Sequence, residues 1–196
     1  MRVELTEVNL CADCPDEDTA EGSTSESINW HVETLVEKYD ADYTAEQIAK
    51  QGIEPVEVVR VSGNLLMKAG AQRLIDQLIG VTTLPFNNAN SRLGVGNSAT
   101  AEVNTHTDLQ AVAGAANRQF KVMDATYPSR LNETVTWKST FAAADAQFAW
   151  NEWCIDRGTA NGTTVTAPMF NRKVPATSMG TKGAVAWALT VSITPG

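Results

Sequence analysis

Ala184-Val185-Ala186-Trp187-Ala188-Leu189-Thr190-Val191-Ser192-Ile193-Thr194 alternates without interruption. Val185, Trp187, Leu189, Val191 and Ile193 point to one side, and the small or hydroxylated residues to the other. A period of two is the signature of a strand with one large-residue face turned to a core. Val135, Trp137 and Phe141 repeat the device in a stretch at 134–141. Further strands are predicted at 92–96, 119–123, 148–156 and 168–174. Turn-rich pieces separate them: Asn87-Asn88, Gly96-Asn97-Ser98, Tyr127-Pro128-Ser129, and the segments 158–162 and 178–183. Short strands at close intervals, with no long helix between them, predict a β-sandwich or jelly-roll-like domain.

Upstream the period changes. Met67, Ala71, Leu74, Ile75 and Leu78 fall on one face of a helix predicted from Leu65 to Ile79. Ser62-Gly63-Asn64 offers its N-cap and Gly80 its stop. Pro55-Val56-Glu57-Val58-Val59-Arg60-Val61 is β-branched with a proline at its start, which fits a strand. Thr44 and Gln47 form a capping box for a short helix running to Gln51, with Gly52 as its stop. Ile28, Val32, Leu35, Val36 and Tyr39 recur at spacings of three and four, which predicts another helix from Ser27. Residues 11–27 are polar and lack periodicity. The expected organisation is therefore mainly β with a helical N-terminal part. Residues 1–54 form an acidic arm with short helices, and 55–196 a β-sandwich domain that includes the 64–79 helix.

Charge divides the chain the same way. Residues 1–60 carry a net −11 and residues 61–196 a net +3, within a total of −8. Nucleic-acid binding needs a basic face that displaces phosphate counterions, and neither half supplies one. Glu33, Glu37, Asp40, Asp42 and Glu46 occupy the two N-terminal helices where a helix-turn-helix DNA reader carries arginine and lysine. No apolar run is long enough for a membrane span, and the acidic N-terminus does not resemble a secretion signal.

Three cysteines do not make a disulfide framework. Cys11 and Cys14 form a lone Cys-x-x-Cys, half a zinc ligand set, with His31, His106 and Cys154 as the nearest other donors. No metal site is assigned. Cys154, beside Trp153, reads as a small buried hydrophobe. Catalytic constellations are equally sparse. Ser98, His106 and Asp108 contain the residue types of a hydrolytic triad, but no strand-to-helix nucleophile elbow surrounds the serine. Glu152 and Asp156, four apart on one strand, stand about 13 Å apart by strand rise, too far for a glycosidase pair. They read as polar residues on a solvated face. Gly94-Val95-Gly96 lacks the third glycine or the Gly-Lys of a phosphate loop and reads as a place of close approach between strands. Trp137, Trp150, Trp153 and Trp187 alternate with small residues. They read as core filler rather than a sugar-stacking face. No catalytic, cofactor-binding or metal residue is predicted.

One ordered series goes further. Gly63-Asn64-Leu65-Leu66, Ala69-Gly70, Leu74-Ile75 and Leu78-Ile79-Gly80 lead into Phe86-Asn87-Asn88-Ala89-Asn90. Leu93-Gly94-Val95-Gly96-Asn97-Ser98-Ala99-Thr100 and Thr107-Asp108-Leu109 follow. Phe148-Ala149-Trp150-Asn151-Glu152-Trp153, Asn171-Arg172-Lys173-Val174 and Gly180-Thr181-Lys182 close it. Over about 56–196 this series resembles a family of small structural proteins of tailed bacteriophages. Cys154 stands where the family suggests glycine, and the chain differs from the family in its acidic front, Arg2 to Ala49. The resemblance implies a non-enzymatic virion component, a capsid decoration or minor capsid protein assembled in the bacterial cytoplasm. Its expected partners are the major capsid protein or tail proteins, and further copies of itself. No nucleic acid, membrane or cofactor is expected. The alternative implied is a tail-associated or fibre module that recognises surface glycans through the strand tryptophans.

Overall fold

A computed structural model of the chain describes residues 30–81 and 84–196. In chain order the elements are β1 (Trp30–Lys38), α1 (Ala45–Gln51), β2 (Glu57–Ser62), β3 (Leu65–Leu66), α2 (Lys68–Leu78) and β4 (Ser91–Gly96). They continue with β5 (Arg118–Val122), β6 (Ser129–Leu131), β7 (Thr134–Phe141), β8 (Glu152–Arg157), β9 (Asn171–Lys173) and β10 (Trp187–Pro195). Two five-stranded antiparallel sheets result, ordered β2-β1-β10-β7-β6 and β3-β9-β8-β4-β5. The fold is mainly β and sandwich-like, with two short helices.

The core lies between the sheets because each contributes one apolar face. Val32 and Val36 of β1, Leu189 and Val191 of β10, and Phe141 of β7 meet Leu93, Val95, Trp153 and Ile155 of the second sheet. Trp150 sits in the middle, edge-on to Phe141 at 4.9 Å and to Trp187 at 5.1 Å. Its indole N–H is satisfied by Ala146 O at 3.1 Å. Burial of an indole with its donor paired combines a large apolar gain with no polar penalty.

The small side of β10 has its own use. Ala186 and Ala188 are fully buried against Tyr39, with Tyr43, Ile48 and Ile53 from around α1. Alanine leaves the space that the helix needs. Further along, Thr136 and Ser192 are polar and pair with each other across the strands at 3.0 Å. The capping box of α1 forms as the sequence predicts: Gln47 N–H donates to Thr44 Oγ1 and Thr44 N–H to Gln47 Oε1. Gly52 closes the helix at a positive φ.

Three expectations need correction. The helix expected from Ser27 is instead strand β1 over its described part, lying between β2 and β10. Val32, Thr34 and Val36 are its buried residues, a period of two. Val32, Val36 and Tyr39 satisfy the helical spacing as well. β-Branched side chains and two flanking strands then decide the matter. Residues 30–54, expected as an arm with short helices, thus supply a central strand and one short helix.

Helix α2 begins at Lys68 rather than Leu65, and Met67 caps it without a side-chain bond. Leu65 and Leu66 are claimed by β9. Its end follows the Schellman pattern, with Gly80 N–H to Gln77 O and Val81 N–H to Asp76 O. Lastly, Ser129, expected in a turn, opens β6, and β8 and β9 are shorter than the segments predicted for them.

Candidate interaction surface

The second sheet carries a further layer. Glu152, Cys154 and Asp156 alternate with Trp153 and Ile155 on β8, so they point away from the main core. There they are fully buried, as are Arg92 and Arg172, under the loops 97–117 and 158–170. The expectation that Glu152 and Asp156 lie on a solvated face is therefore wrong. Glu152 accepts from Arg172 Nε at 2.7 Å and from the amides of Ala111 at 2.7 Å and Gln110 at 3.1 Å. Asp156 pairs with Arg92, which also donates to Ala160 O at 2.9 Å and Thr164 O at 3.1 Å.

Arg118 repeats the arrangement, joining Asp108 at 2.8 Å and Thr163 O at 2.7 Å. Arg172 reaches Thr100 O at 2.7 Å. A guanidinium offers five donors in a planar fork, so one side chain can hold a carboxylate and a loop backbone together. These arginines staple loops to the sheet. Burial pushes the Asp156 carboxyl up to about 6, with Arg92 opposing the shift.

Between the staples lies a small apolar cluster of Met67, Leu109, Phe120, Cys154 and Met169. Cys154 is the buried hydrophobe expected, and burial raises its thiol pKa well above the ordinary value. Gly94 and Gly96 make room for this layer. A Cβ at Gly94 would lie 2.6 Å from the Phe120 ring, and one at Gly96 2.5 Å from Glu152 Oε1.

The residues weighed for catalysis are dispersed into structural bonds. Ser98 Oγ pairs with Thr100 Oγ1 at 2.9 Å, His106 Nδ1 faces Arg172 at 3.3 Å, and Asp108 is held by Arg118. None of the three bonds another. His31 is exposed on β1. Cys11 and Cys14 lie outside the described residues. Among the described residues no cluster of three histidine, cysteine, aspartate or glutamate side chains suits a metal. Trp137, Trp150, Trp153 and Trp187 are buried, as expected of core filler.

What the protein does present is aliphatic surface. On α2 and just beyond it, Leu78 is 86 % exposed, Val81 65 %, Ile79 64 % and Ile75 58 %. Leu84 is exposed as well and is tied back to the helix by Gln77 Nε2, which donates to its carbonyl at 3.3 Å. The opposite side of α2 is pressed on the second sheet: a Cβ at Gly70 would overlap Phe170 O. An apolar groove of about 360 Å³ opens beside it, lined by Trp30, Leu74, Phe86, Trp137 and Phe170.

Trp137 Nε1 is buried there without an acceptor among the described residues. Five large aliphatics at such exposure amount to roughly 500 Å², the upper range for the largest apolar patch of a monomer. The sequence puts Met67, Ala71, Leu74, Ile75 and Leu78 on one face, and the structure divides it: Met67 is buried and Leu74 half-buried, whereas Ile75 and Leu78 stay exposed. Only packing separates them. Comparison with known proteins found no family model, no curated protein and no solved structure that matches this chain.

Proposed function

We propose that this chain is a non-enzymatic structural component of a tailed-bacteriophage virion, a decoration or minor capsid protein that binds neighbouring subunits. The observation that carries the reading is the aliphatic face of α2 with its adjoining groove. It sits on a body whose buried charged side chains are engaged with one another and with loop backbone. Such a surface costs solubility unless another protein covers it. The stapled loops and paired sheets make a rigid platform, and binding between preorganised surfaces loses little conformational entropy. The ordered resemblance over about 56–196 supplies the phage context.

The net −11 of residues 1–60 suits docking on a basic strip of lattice. Four cations of the C-terminal part, Arg92, Arg118, Arg172 and Lys182, are buried, which leaves less positive charge for a nucleic acid to meet. A tail-fibre role in glycan recognition through Trp137, Trp150, Trp153 and Trp187 would need these indoles bare, and they are at most 7 % exposed; Trp30 of β1, 39 % exposed, is a lone indole at the rim of the apolar groove. The test is mass spectrometry and cryo-electron microscopy of intact particles. Stoichiometric copies on the shell are expected, with α2 against a neighbour. Particles that lack the chain overturn the proposal.

A further inference from the structure

The four sheet edges are treated unequally. β3 is two residues long and runs straight into α2, and β6 is three residues long. β5 is covered by the loop after β8: Phe120 and Gly162 exchange main-chain bonds at 2.7 and 3.1 Å, and Val122 N–H donates to Asn161 Oδ1 at 2.9 Å. β2 is six residues long and has no such cover among the described residues. Proteins ordinarily shorten, cover or interrupt an edge, since an open row of main-chain donors and acceptors recruits another strand.

The phase of β2 shows which groups are open. Gly63 N–H donates to Val32 O at 2.9 Å, so in an antiparallel ladder Val61 and Val59 also turn their main chain to β1. Val58, Arg60 and Ser62 turn theirs outward. The side chains of Val59 and Val61 pack on the main core, whereas Val58 is 42 % exposed on the outer face.

We propose that β2 pairs antiparallel with β2 of a second copy across a two-fold axis, joining two five-stranded sheets into one. The strand itself selects this occupant and its register. Residues opposite each other share a face, so odd pairs with odd and even with even. Two registers overlap the strands most fully. One places Arg60 opposite Arg60 of the second copy; each is paired with Glu33 of β1 at 2.9 Å, on the side away from the new seam, and like charges directly opposed across that seam are unfavourable. The other places Val59 on its own counterpart at the axis and Val58 opposite Arg60 of the second copy, twice.

The second register gives about four main-chain hydrogen bonds between Val58 and Arg60 of the two strands. It also covers each exposed Val58 with an arginine stem. The contact is isologous, so it closes at two chains. It does not depend on the virion reading, and a dimer is expected whichever assembly the protein joins.

The experiment is sedimentation equilibrium on the full chain at tens of micromolar, with hydrogen exchange on the same sample. The wild type is expected at twice the 21.1 kDa chain mass, with slow exchange at the Val58 and Arg60 amides. Val58→Pro removes only an outward N–H, which an edge strand tolerates. It should give a monomer with an unchanged circular dichroism spectrum, while Val58→Ala, which keeps the N–H, should remain dimeric. A monomeric wild type, fast exchange at both amides, or a Val58→Pro protein that stays dimeric overturns the proposal.

Discussion

Arg172 and Glu152 meet at 2.7 Å with neither side chain reaching solvent. The pair joins β9 to β8 and, through the amides of Gln110 and Ala111 and the carbonyl of Thr100, holds the 97–117 loop on both. A buried carboxylate left without its cation is costly because it can neither ionise cheaply nor reach water. Arg172→Met should therefore lose about 3–5 kcal/mol of unfolding free energy. Glu152→Gln leaves the Arg172 guanidinium buried without its anion and turns an NH2 group towards a donor, so it should lose about 3–5 kcal/mol as well. Urea unfolding measures both, and a loss below about 1 kcal/mol for either variant would contradict the argument.

Gly94 faces Phe120 with no room for a methyl group. Gly94→Ala should cost about 1–3 kcal/mol by overpacking. Phe120→Leu on its own loses packing, yet combined with Gly94→Ala it should recover part of that cost. A double-mutant cycle read by thermal melting checks the coupling, and strictly additive losses would refute it.

Lys182 is buried, and its Nζ donates to Ala142 O at 2.7 Å and Gly183 O at 3.3 Å. Burial lowers its pKa from 10.5 to about 8. Between those values the unfolded chain holds more protons than the folded one, so unfolding free energy rises with pH across about 8 to 10.5. Below 8 the cost of a buried cation is fully present. Relative to Lys182→Met, the wild type should gain stability steadily over that window. A flat difference would show that the lysine is not buried in solution.

Cys154 is covered on all sides, and its thiol resists ionisation. In a Cys11→Ser/Cys14→Ser background, a thiol reagent at neutral pH should label it only as fast as the protein unfolds. Rapid labelling of the native protein would mean that the loops over the second sheet open readily.

The α2 face offers a fifth check. Leu78→Lys should leave the melting temperature within a few degrees, since an exposed side chain contributes little to the fold. On the proposed virion role, its occupancy on particles should nevertheless fall about tenfold or more, counted by quantitative mass spectrometry. Full occupancy would mean that another surface makes the contact.

Local pattern was sufficient for β10, β7, β4 and α1. Each carries its own period, cap or turn within a dozen residues, and short-range sterics and amphipathicity act on that scale. It was insufficient for β1, where Val32 and Val36 fit both periods. Pairing with β10, about 150 residues away or more, selects the strand. It was insufficient again for Glu152 and Asp156, whose charge suggests solvent. Their partners Arg172 and Arg92 lie 20 and 64 residues distant, and a loop must fold over all four before burial becomes tolerable.

By itself, then, the sequence determined the alternating core strands, the capped helix, the acidic front and the absence of any recognisable catalytic motif. Tertiary structure alone decided which charges lie inside, which apolar residues of α2 stay bare and, among the described residues, which sheet edge is left open. Those outcomes depend on what comes to lie against each residue from far along the chain, and no local period records that.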